Sequence, residues 1–192
     1  MDAPAVHTPD ATRQERTRLI QAIRPLDRSS VVRGQFRGYR EEPGVDAGSL
    51  TETYVAAKLF VDNWRWADTP FYVRTGKRLP RRETTIAIQF KRAPHPPFAE
   101  AAAEELRPNM LIVHVQPDEG VSLAIAAKVP GLGVKLRTVH MDFVYGGSFH
   151  MELPEAYERL ILDAMRGDAT LFTRADEVDE QWAIVDSIVA AW

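Results

Sequence analysis

The sequence predicts an α+β domain built on a large, mostly antiparallel sheet with helices packed on one face. Three observations lead to this fold class. The segments with strand-like alternation follow one another in a block, helical patterns close the chain, and no strand–helix–strand alternation occurs. The connections between the later strands are also only a few residues long. Short connections suit antiparallel neighbours, because parallel strands need long crossovers.

The chain begins with a polar segment and a helix. Residues 1–11 are polar and contain proline, so we expect a frayed tail there, followed by one domain over residues 12–192. Residues 12–23 carry a weak apolar stripe that predicts a helix. Pro25 ends this helix, because proline disfavours a helical residue before it.

Seven strands are expected in the middle of the chain. Apolar or β-branched residues recur at alternate positions, which is typical of strands with one buried face. The predicted strands span residues 31–36, 51–61, 71–75, 84–90, 110–115, 120–129 and 134–143.

Two further helices are expected at the end of the chain. Residues 154–167 combine a first-turn proline, an apolar stripe at helical spacing and Gly167 as a left-handed stop. A last helix runs from about residue 176 onward, with Val178 and Trp182 on its apolar face. We interpret this face, together with Trp64 and Trp66, as core packing.

Composition excludes several classes of protein. The 192 residues contain no cysteine, which removes disulfides, thiolate zinc sites and cysteine nucleophiles. No apolar run is long enough to span a membrane and no secretory signal begins the chain, so a cytoplasmic protein is expected. The five histidines lack metal-site spacing, and His114 and His140 are interpreted as satisfied strand residues. Gly131 and Gly133 belong to a hairpin turn rather than to a dinucleotide fingerprint.

One short segment concentrates positive charge in a chain whose formal net charge is −3. Between Arg74 and Arg92, seven cations stand against a single acid, Glu83. Lysine and arginine together can hold the oxygens of a phosphate, and Gly76 would let the backbone approach such a ligand. A solvated basic surface explains the same charges without a ligand. Nucleic acid is disfavoured, because the chain is acidic overall and no aromatic residues interleave with the cations.

Several long motifs occur in order along the chain. The longest is VDNWRWADTPFYVRTGKRL at residues 61–79, and LPEAYERLILD follows at residues 153–163. Shorter motifs occupy residues 32–36, 41–45, 49–56, 108–112 and 115–120. Together they resemble the C-terminal part of the glucose-6-phosphate dehydrogenase family. The resemblance extends from about residue 12 to the end of the chain.

The resemblance implies a dehydrogenase activity for the complete enzyme. It also implies that the isolated chain lacks this activity. Enzymes of the family pass hydride from C1 of glucose 6-phosphate to NADP, in the oxidative pentose phosphate pathway. Their N-terminal dinucleotide-binding domain has no counterpart here, and the family's catalytic histidine lies upstream of the matching part. No catalytic, cofactor-binding or metal-binding residue is therefore assigned, and we expect the isolated chain to be inactive.

Three residues match positions of the family's sugar-phosphate site. Lys77 matches the lysine of the Arg-Thr-Gly-Lys motif, which contacts glucose 6-phosphate. Arg82, five residues later, matches a second basic position of that site. Gln116, in the Gln-Pro-Asp-Glu turn, matches a glutamine that contacts the substrate. The resemblance thus implies Lys77, Arg82 and Gln116 as substrate-binding residues.

A second, structural NADP lies beside this sheet in the family's animal members. Arg74 matches one basic residue of that site, but Glu83 stands where those members have lysine. His114 and Ser122 also replace larger or more basic partners. An acid close to the nucleotide phosphates is unfavourable, so we expect the structural NADP site to be absent.

The resemblance implies the substrate-binding and dimerisation part of a glucose-6-phosphate 1-dehydrogenase, an enzyme that makes 6-phosphogluconolactone with NADP. We expect a homodimer through the sheet face that the helices leave uncovered, since the family uses that face and a sheet needs cover. The missing N-terminal domain is another expected partner, whereas nucleic acid and membrane are not. The alternative is a stand-alone, non-catalytic sugar-phosphate-binding or dimerisation module.

Overall fold

The computed structural model describes residues 2–92, 107–133, 135–149 and 156–190. The chain forms two compact units. Unit 1 comprises Met1–Leu79 and Glu155–Trp192, and unit 2 comprises Pro80–Pro154.

All seven predicted strands are present and every pairing is antiparallel, which confirms the α+β class. The strands are β1 (Val31–Gly34), β2 (Tyr54–Leu59), β3 (Phe71–Gly76), β4 (Thr84–Gln89), β5 (Met110–Gln116), β6 (Gly120–Lys128) and β7 (Leu136–Val144). The helices of the described residues are α1 (Pro9–Gln21), α2 (Tyr145–Phe149), α3 (Ala156–Arg166) and α4 (Ala175–Ala190), with 3-10 turns at Arg28–Ser30 and Tyr39–Glu41.

The strands form two sheets where we expected a single large one. Strands β1, β2 and β3 form the first sheet, and β4 to β7 form the second in sequence order. In the segment between β3 and β4, Arg78 has a positive φ of 51°, and Pro80 follows it. Both end the extended backbone of β3, and proline also lacks the N–H that a strand ladder requires.

The first helix begins at Pro9 rather than at residue 12. Thr8 is its N-cap, because the Thr8 hydroxyl accepts a hydrogen bond of 3.2 Å from the Ala11 amide. A proline in the first helical turn is favourable, since its missing N–H would have no partner there. The predicted start of α3, at residue 154, lies outside the described residues.

Helices α1 and α4 pack together in unit 1 through a charged contact. The Arg16 guanidinium lies 3.7 Å from the Glu177 carboxylate, which is only 4% exposed. Arg16 also donates to the carbonyl oxygens of Thr170 and Phe172, in the segment between α3 and α4. One side chain of α1 therefore joins the helix to both the α3–α4 connection and α4.

The end of α1 is attached to the first sheet. The Arg24 amide donates to the Phe60 carbonyl at 2.9 Å, and the Asp62 amide donates to the Ala22 carbonyl at 2.7 Å. The Arg24 guanidinium also donates to Asp62 at 2.6 Å, which lowers the pKa of that carboxyl group below its ordinary value. These contacts fix the direction in which the chain enters β1.

Core packing is the wrong interpretation for several apolar side chains. Trp64 is fully exposed, although Trp66 makes an edge-to-face contact of 5.2 Å with Phe71. In α4, Trp182 is 59% exposed while Glu177 and Ile188 are buried. Glu177 and Glu180 of α4 contact Arg16 and Gln21 of α1, so the stripe that contains Val178 and Trp182 lies on another side of the helix.

Helix α3 shows the same inversion. Its residues at i, i+4 and i+8 are apolar, yet Tyr157 is 76% exposed and Met165 is 81% exposed. Asp163 is buried instead, with both carboxylate oxygens accepting from the Arg159 Nε at 3.0 Å. The apolar stripe of α3 is thus directed away from the interior of unit 1.

The sheet of unit 2 has two chemically different faces. Side chains directly opposite one another on neighbouring strands share a face, and successive residues alternate between faces. One face carries the rows Ile86–Val113–Val121–Phe143 and Ile88–Leu111–Leu123–Met141. The other carries the rows Ala87–Ile112–Ser122–Asp142 and Gln89–Met110–Ala124–His140. We call these the apolar face and the polar face.

Candidate functional site

Lys77 follows directly on β3 and its backbone is held by β2. The Lys77 amide donates a 2.8 Å hydrogen bond to the Thr53 carbonyl, and the side chain is exposed. At Gly76, a Cβ atom would lie 2.8 Å from Tyr54 Cδ2 and 3.1 Å from the Thr53 oxygen. Glycine is therefore needed here for the close contact with Tyr54 and Thr53.

Among the described residues, Arg78 has clear partners within unit 1. Its guanidinium forms an ion pair with Glu42 and lies 4.6 Å from the centre of the Phe36 ring. In the described residues, neither Lys77 nor Arg82 forms an ion pair with a carboxylate, and both side chains are exposed. Their charges are thus available to an anion, while that of Arg78 supports the local fold.

Gln116 is the last residue of β5, and Thr84, the first residue of β4, is directly opposite it. Arg82 lies two residues before Thr84. The turn after Gln116 is fixed by the Tyr145 amide, which donates to the Glu119 carbonyl at 3.0 Å. Unit 2 therefore brings Gln116 to the strand end at which Arg82 enters the sheet. Lys77, the third predicted residue, belongs to unit 1.

Gly120 closes this turn and begins β6. It pairs with His114 on β5 and with Val144 on β7. A Cβ atom at this position would overlap the carbonyl oxygen of Phe143. Any residue larger than glycine would push β7 away from β6 directly beside the turn that carries Gln116.

The histidine of β5 is engaged in a structural contact. His114 Nε2 lies 3.1 Å from the Ser122 hydroxyl, and both residues are partly buried. This confirms the interpretation of His114 as a satisfied strand residue. Across the part of the chain that the structure describes, no group of three or more metal-ligating side chains occurs. In the same ranges, no helix has the length and apolar composition needed to cross a membrane.

The Gly-Leu-Gly sequence lacks the structural surroundings of a dinucleotide fingerprint. Gly131, the first glycine of the Gly-Leu-Gly sequence, lies in the connection between β6 and β7, where the Val129 amide donates to the Lys135 carbonyl at 2.7 Å. A dinucleotide fingerprint requires a helix after the glycines, whereas here a strand follows. Glu83 is exposed and directly precedes β4.

Comparison with known proteins identifies the family. The family model for the glucose-6-phosphate dehydrogenase C-terminal domain matches residues 1–192. The chain belongs to this family. Among curated relatives of this glucose-6-phosphate dehydrogenase C-terminal domain, the glucose-6-phosphate 1-dehydrogenase of Aggregatibacter actinomycetemcomitans is 44% identical over 203 residues. That alignment covers 98% of this chain and 40% of the relative.

A second relative, glucose-6-phosphate 1-dehydrogenase 2 of Mycobacterium tuberculosis, is 44% identical and covers 100% of this chain. The chain spans about 40% of the length of the curated relatives it matches.

Solved structures agree with the family assignment. The crystal structure of glucose-6-phosphate 1-dehydrogenase from Mycobacterium avium matches 99% of this chain with a TM-score of 0.86 and 35% identity. A glucose-6-phosphate dehydrogenase in complex with its substrate glucose 6-phosphate matches 98% of the chain with a TM-score of 0.90 and 31% identity. In both cases 40% of the solved chain is covered.

Proposed function

We propose that this chain is the substrate-binding and dimerisation part of a glucose-6-phosphate 1-dehydrogenase. The family match over the whole chain carries the proposal, and it is supported by a structural neighbour in complex with glucose 6-phosphate. The complete enzyme would oxidise C1 of glucose 6-phosphate to 6-phosphogluconolactone. NADP, when bound to the rest of that enzyme, would supply the acceptor for the hydride.

Three side chains would recognise the substrate. Lys77 offers a compact ammonium group and Arg82 a planar guanidinium, and both would donate to the phosphate oxygens. Gln116 has an amide that both donates and accepts, which suits a sugar hydroxyl. The exposure of Lys77 and Arg82, and the absence of a carboxylate partner for either within the described ranges, support this assignment.

We also propose that the isolated chain has no dehydrogenase activity. In the family, the dinucleotide-binding domain and the histidine that accepts the C1 hydroxyl proton belong to the part that this chain does not match. Purified chain should therefore produce no NADPH from glucose 6-phosphate and NADP in an absorbance assay. Production that persists after contaminating enzyme has been removed would contradict this proposal.

Calorimetry tests the phosphate contacts. Glucose 6-phosphate titrated into the chain should give saturable heat, with an affinity in the millimolar range because the other contacts of the complete site are missing. The double variant Lys77→Ala/Arg82→Ala should lose this heat. Lys91→Ala/Arg92→Ala is the matched control, because it removes the same two charged groups from the same basic segment. If both double variants lose the binding heat equally, the effect comes from net charge, and Lys77 and Arg82 do not form a phosphate site.

A second candidate function, a non-catalytic dimerisation module, is favoured by the sheet of unit 2. Ile86 is 55% exposed and Met141 is 52% exposed on its apolar face. Exposed apolar patches of this kind are typical of interaction surfaces. In a two-fold symmetric dimer, the apolar face would pack against the same face of a second chain. This dimer is compatible with the substrate-binding role.

Sedimentation velocity tests the dimer. The parent chain should sediment as a dimer, and Met141→Glu should shift it to monomer, because the new carboxylate would be buried without a partner. His140→Glu is the matched control, since His140 adjoins Met141 and lies on the polar face. A parent chain that is monomeric at micromolar concentration, or a Met141→Glu variant that remains dimeric, would refute dimerisation through the apolar face.

A further inference from the structure

The backbone of Lys77 is held on both sides by contacts within unit 1. On its N-terminal side, Gly76 pairs with Tyr54 in the β2–β3 ladder, and the Lys77 amide donates to the Thr53 carbonyl at 2.8 Å. On its C-terminal side, Arg78 has a φ of 51°. This left-handed conformation is unfavourable for a residue other than glycine, and it persists only where the surroundings hold it. Lys77 therefore lies between a strand end and a residue that turns the chain.

The side chain of Arg78 is held by residues 36–42. Its guanidinium forms an ion pair with Glu42 and lies 4.6 Å from the centre of the Phe36 ring. A guanidinium can make both contacts at once, because its edge donates hydrogen bonds while its plane stacks on an aromatic ring. We call the contacts of Arg78 with Glu42 and Phe36 the Arg78 clamp. The clamp accounts for a left-handed backbone at a position that is not glycine.

Residues 36–42 are attached to the same residue that holds Lys77. The Phe36 amide donates to the Thr53 hydroxyl at 2.8 Å, whereas the Lys77 amide donates to the Thr53 carbonyl. Within the segment, the Glu42 amide donates to the Tyr39 carbonyl at 3.2 Å. The rings of Tyr39 and Phe36 meet edge to face, with their centres 5.5 Å apart. Thr53 and the Arg78 clamp therefore close a loop of contacts that contains Lys77.

The clamp also gives two neighbouring cations different environments. The charge of Arg78 is paired with Glu42, whereas the exposed side chain of Lys77 has no carboxylate partner in the parts of the chain that the structure describes. A lysine side chain loses conformational freedom when it binds a ligand. A backbone that is fixed before binding lowers this cost, because less of the site has to be ordered.

We propose that Arg78 is a positioning residue, whose clamp on Glu42 and Phe36 holds Lys77 in place for the phosphate of glucose 6-phosphate. This inference rests on the proposed substrate-binding function. Arg78 itself does not touch the substrate. Its charge is used within unit 1, and Lys77 supplies the ammonium group for the phosphate oxygens.

Four variants of the full chain test the clamp by NMR titration with glucose 6-phosphate. Arg78→Gly removes the side chain without straining the backbone, because glycine readily adopts a positive φ. Glu42→Gln removes the charge of the ion-pair partner and keeps its shape. Arg78→Lys retains a cation for Glu42 but loses the planar group that stacks on Phe36. Arg37→Ala is the matched control, since it removes an exposed cation from residues 36–42.

Glu42→Gln separates positioning from charge by the direction of its effect. If Arg78 contributed only its charge, loss of the acid would free that cation and tighten glucose 6-phosphate binding. Positioning instead predicts that Glu42→Gln and Arg78→Gly each weaken binding by about fivefold. The variant that combines the two changes should lose no more than either, because both break the same clamp. Arg78→Lys should lie between Arg78→Gly and the parent, and Arg37→Ala should match the parent.

Backbone order in the absence of ligand separates positioning from general destabilisation. The ¹⁵N order parameter of Lys77 should fall in Arg78→Gly and Glu42→Gln, whereas the β2 amides should stay as protected from hydrogen exchange as in the parent. Loss of β2 protection together with affinity would make the clamp a structural contact and overturn the positioning role.

A Glu42→Gln variant that binds glucose 6-phosphate as tightly as the parent, or more tightly, would also overturn the positioning role. Additive losses in the combined variant would do the same, since Arg78 and Glu42 would then act separately. In these cases the parent still binds, and the proposed substrate-binding function stands. A parent chain that binds no glucose 6-phosphate would overturn that function as well, so the two failures are distinguishable.

Discussion

Replacing Arg16 with alanine should destabilise unit 1 by about 3 kcal/mol, because it leaves a buried carboxylate without its cation. Glu177 is 4% exposed, and Arg16 is its ion-pair partner in the described structure. The same substitution removes the hydrogen bonds to the carbonyls of Thr170 and Phe172. Urea unfolding followed by tryptophan fluorescence measures the change, since all four tryptophans belong to unit 1.

Two controls separate the buried charge from other effects. Arg18→Ala removes a cation from the same helix. Arg18 forms an exposed ion pair with Glu15, so this variant should lose less than about 1 kcal/mol of stability. Arg16→Met/Glu177→Leu removes both charges and should recover most of the lost stability, because no buried charge remains unpaired. If Arg16→Ala is as stable as Arg18→Ala, water solvates the Glu177 carboxylate adequately, and the prediction is wrong.

Replacing Gly120 with alanine should destabilise the sheet of unit 2 by about 3 kcal/mol, at the upper end of the cost of inserting a methyl group into a packed site. The added Cβ would overlap the Phe143 carbonyl oxygen. That obstacle is backbone, so only a displacement of β7 relieves it. Hydrogen exchange of the β6 and β7 amides measures the effect within unit 2 and should show faster exchange along both strands.

Gly133→Ala is the matched control. Gly133 also belongs to unit 2, its added Cβ would meet no atom within 4 Å, and its φ is not positive. This variant should exchange like the parent. If the β6 and β7 amides stay protected from hydrogen exchange in Gly120→Ala, the strands separate at little cost. Packing would then not require glycine at the end of the Gln116 turn.

The order of elements could be predicted because it is encoded locally. The alternation in residues 84–90 and the turn residues after β5 predict β4 and β5 within a residue or two. Helix ends were predicted less accurately than strands. Helix α1 begins at Pro9, because Thr8 is its N-cap. Two separate sheets could not be predicted, because strand segments alone do not show which strands pair.

The burial of helices could not be predicted from their patterns alone. An apolar stripe indicates which helix face is favourable to bury, but it does not determine which face packs against the rest of the folded unit. In α3 and α4 the charged residues Asp163 and Glu177 are buried through pairs with Arg159 and Arg16. The periodicity of Tyr157 and Trp182 is equally consistent with a core face and with the exposed face observed here.

The candidate site was predictable only in part. Motif resemblance predicts Lys77, Arg82 and Gln116, and the charge concentration is consistent both with an anion site and with a solvated basic surface. The contact of Gly76 with Tyr54 could not be predicted, because it depends on the β2–β3 pairing register, which a single sequence does not reveal.

Mapping the glucose 6-phosphate contacts by NMR on the isotopically labelled chain tests the central claim most directly. Glucose at the same concentrations is the control, because it lacks the phosphate that Lys77 and Arg82 would hold. The account predicts saturable shifts at Lys77, Arg82 and Gln116 with glucose 6-phosphate, and none at the two cations with glucose. Shifts confined to other residues, or identical shifts with both ligands, would contradict a sugar-phosphate site in this chain.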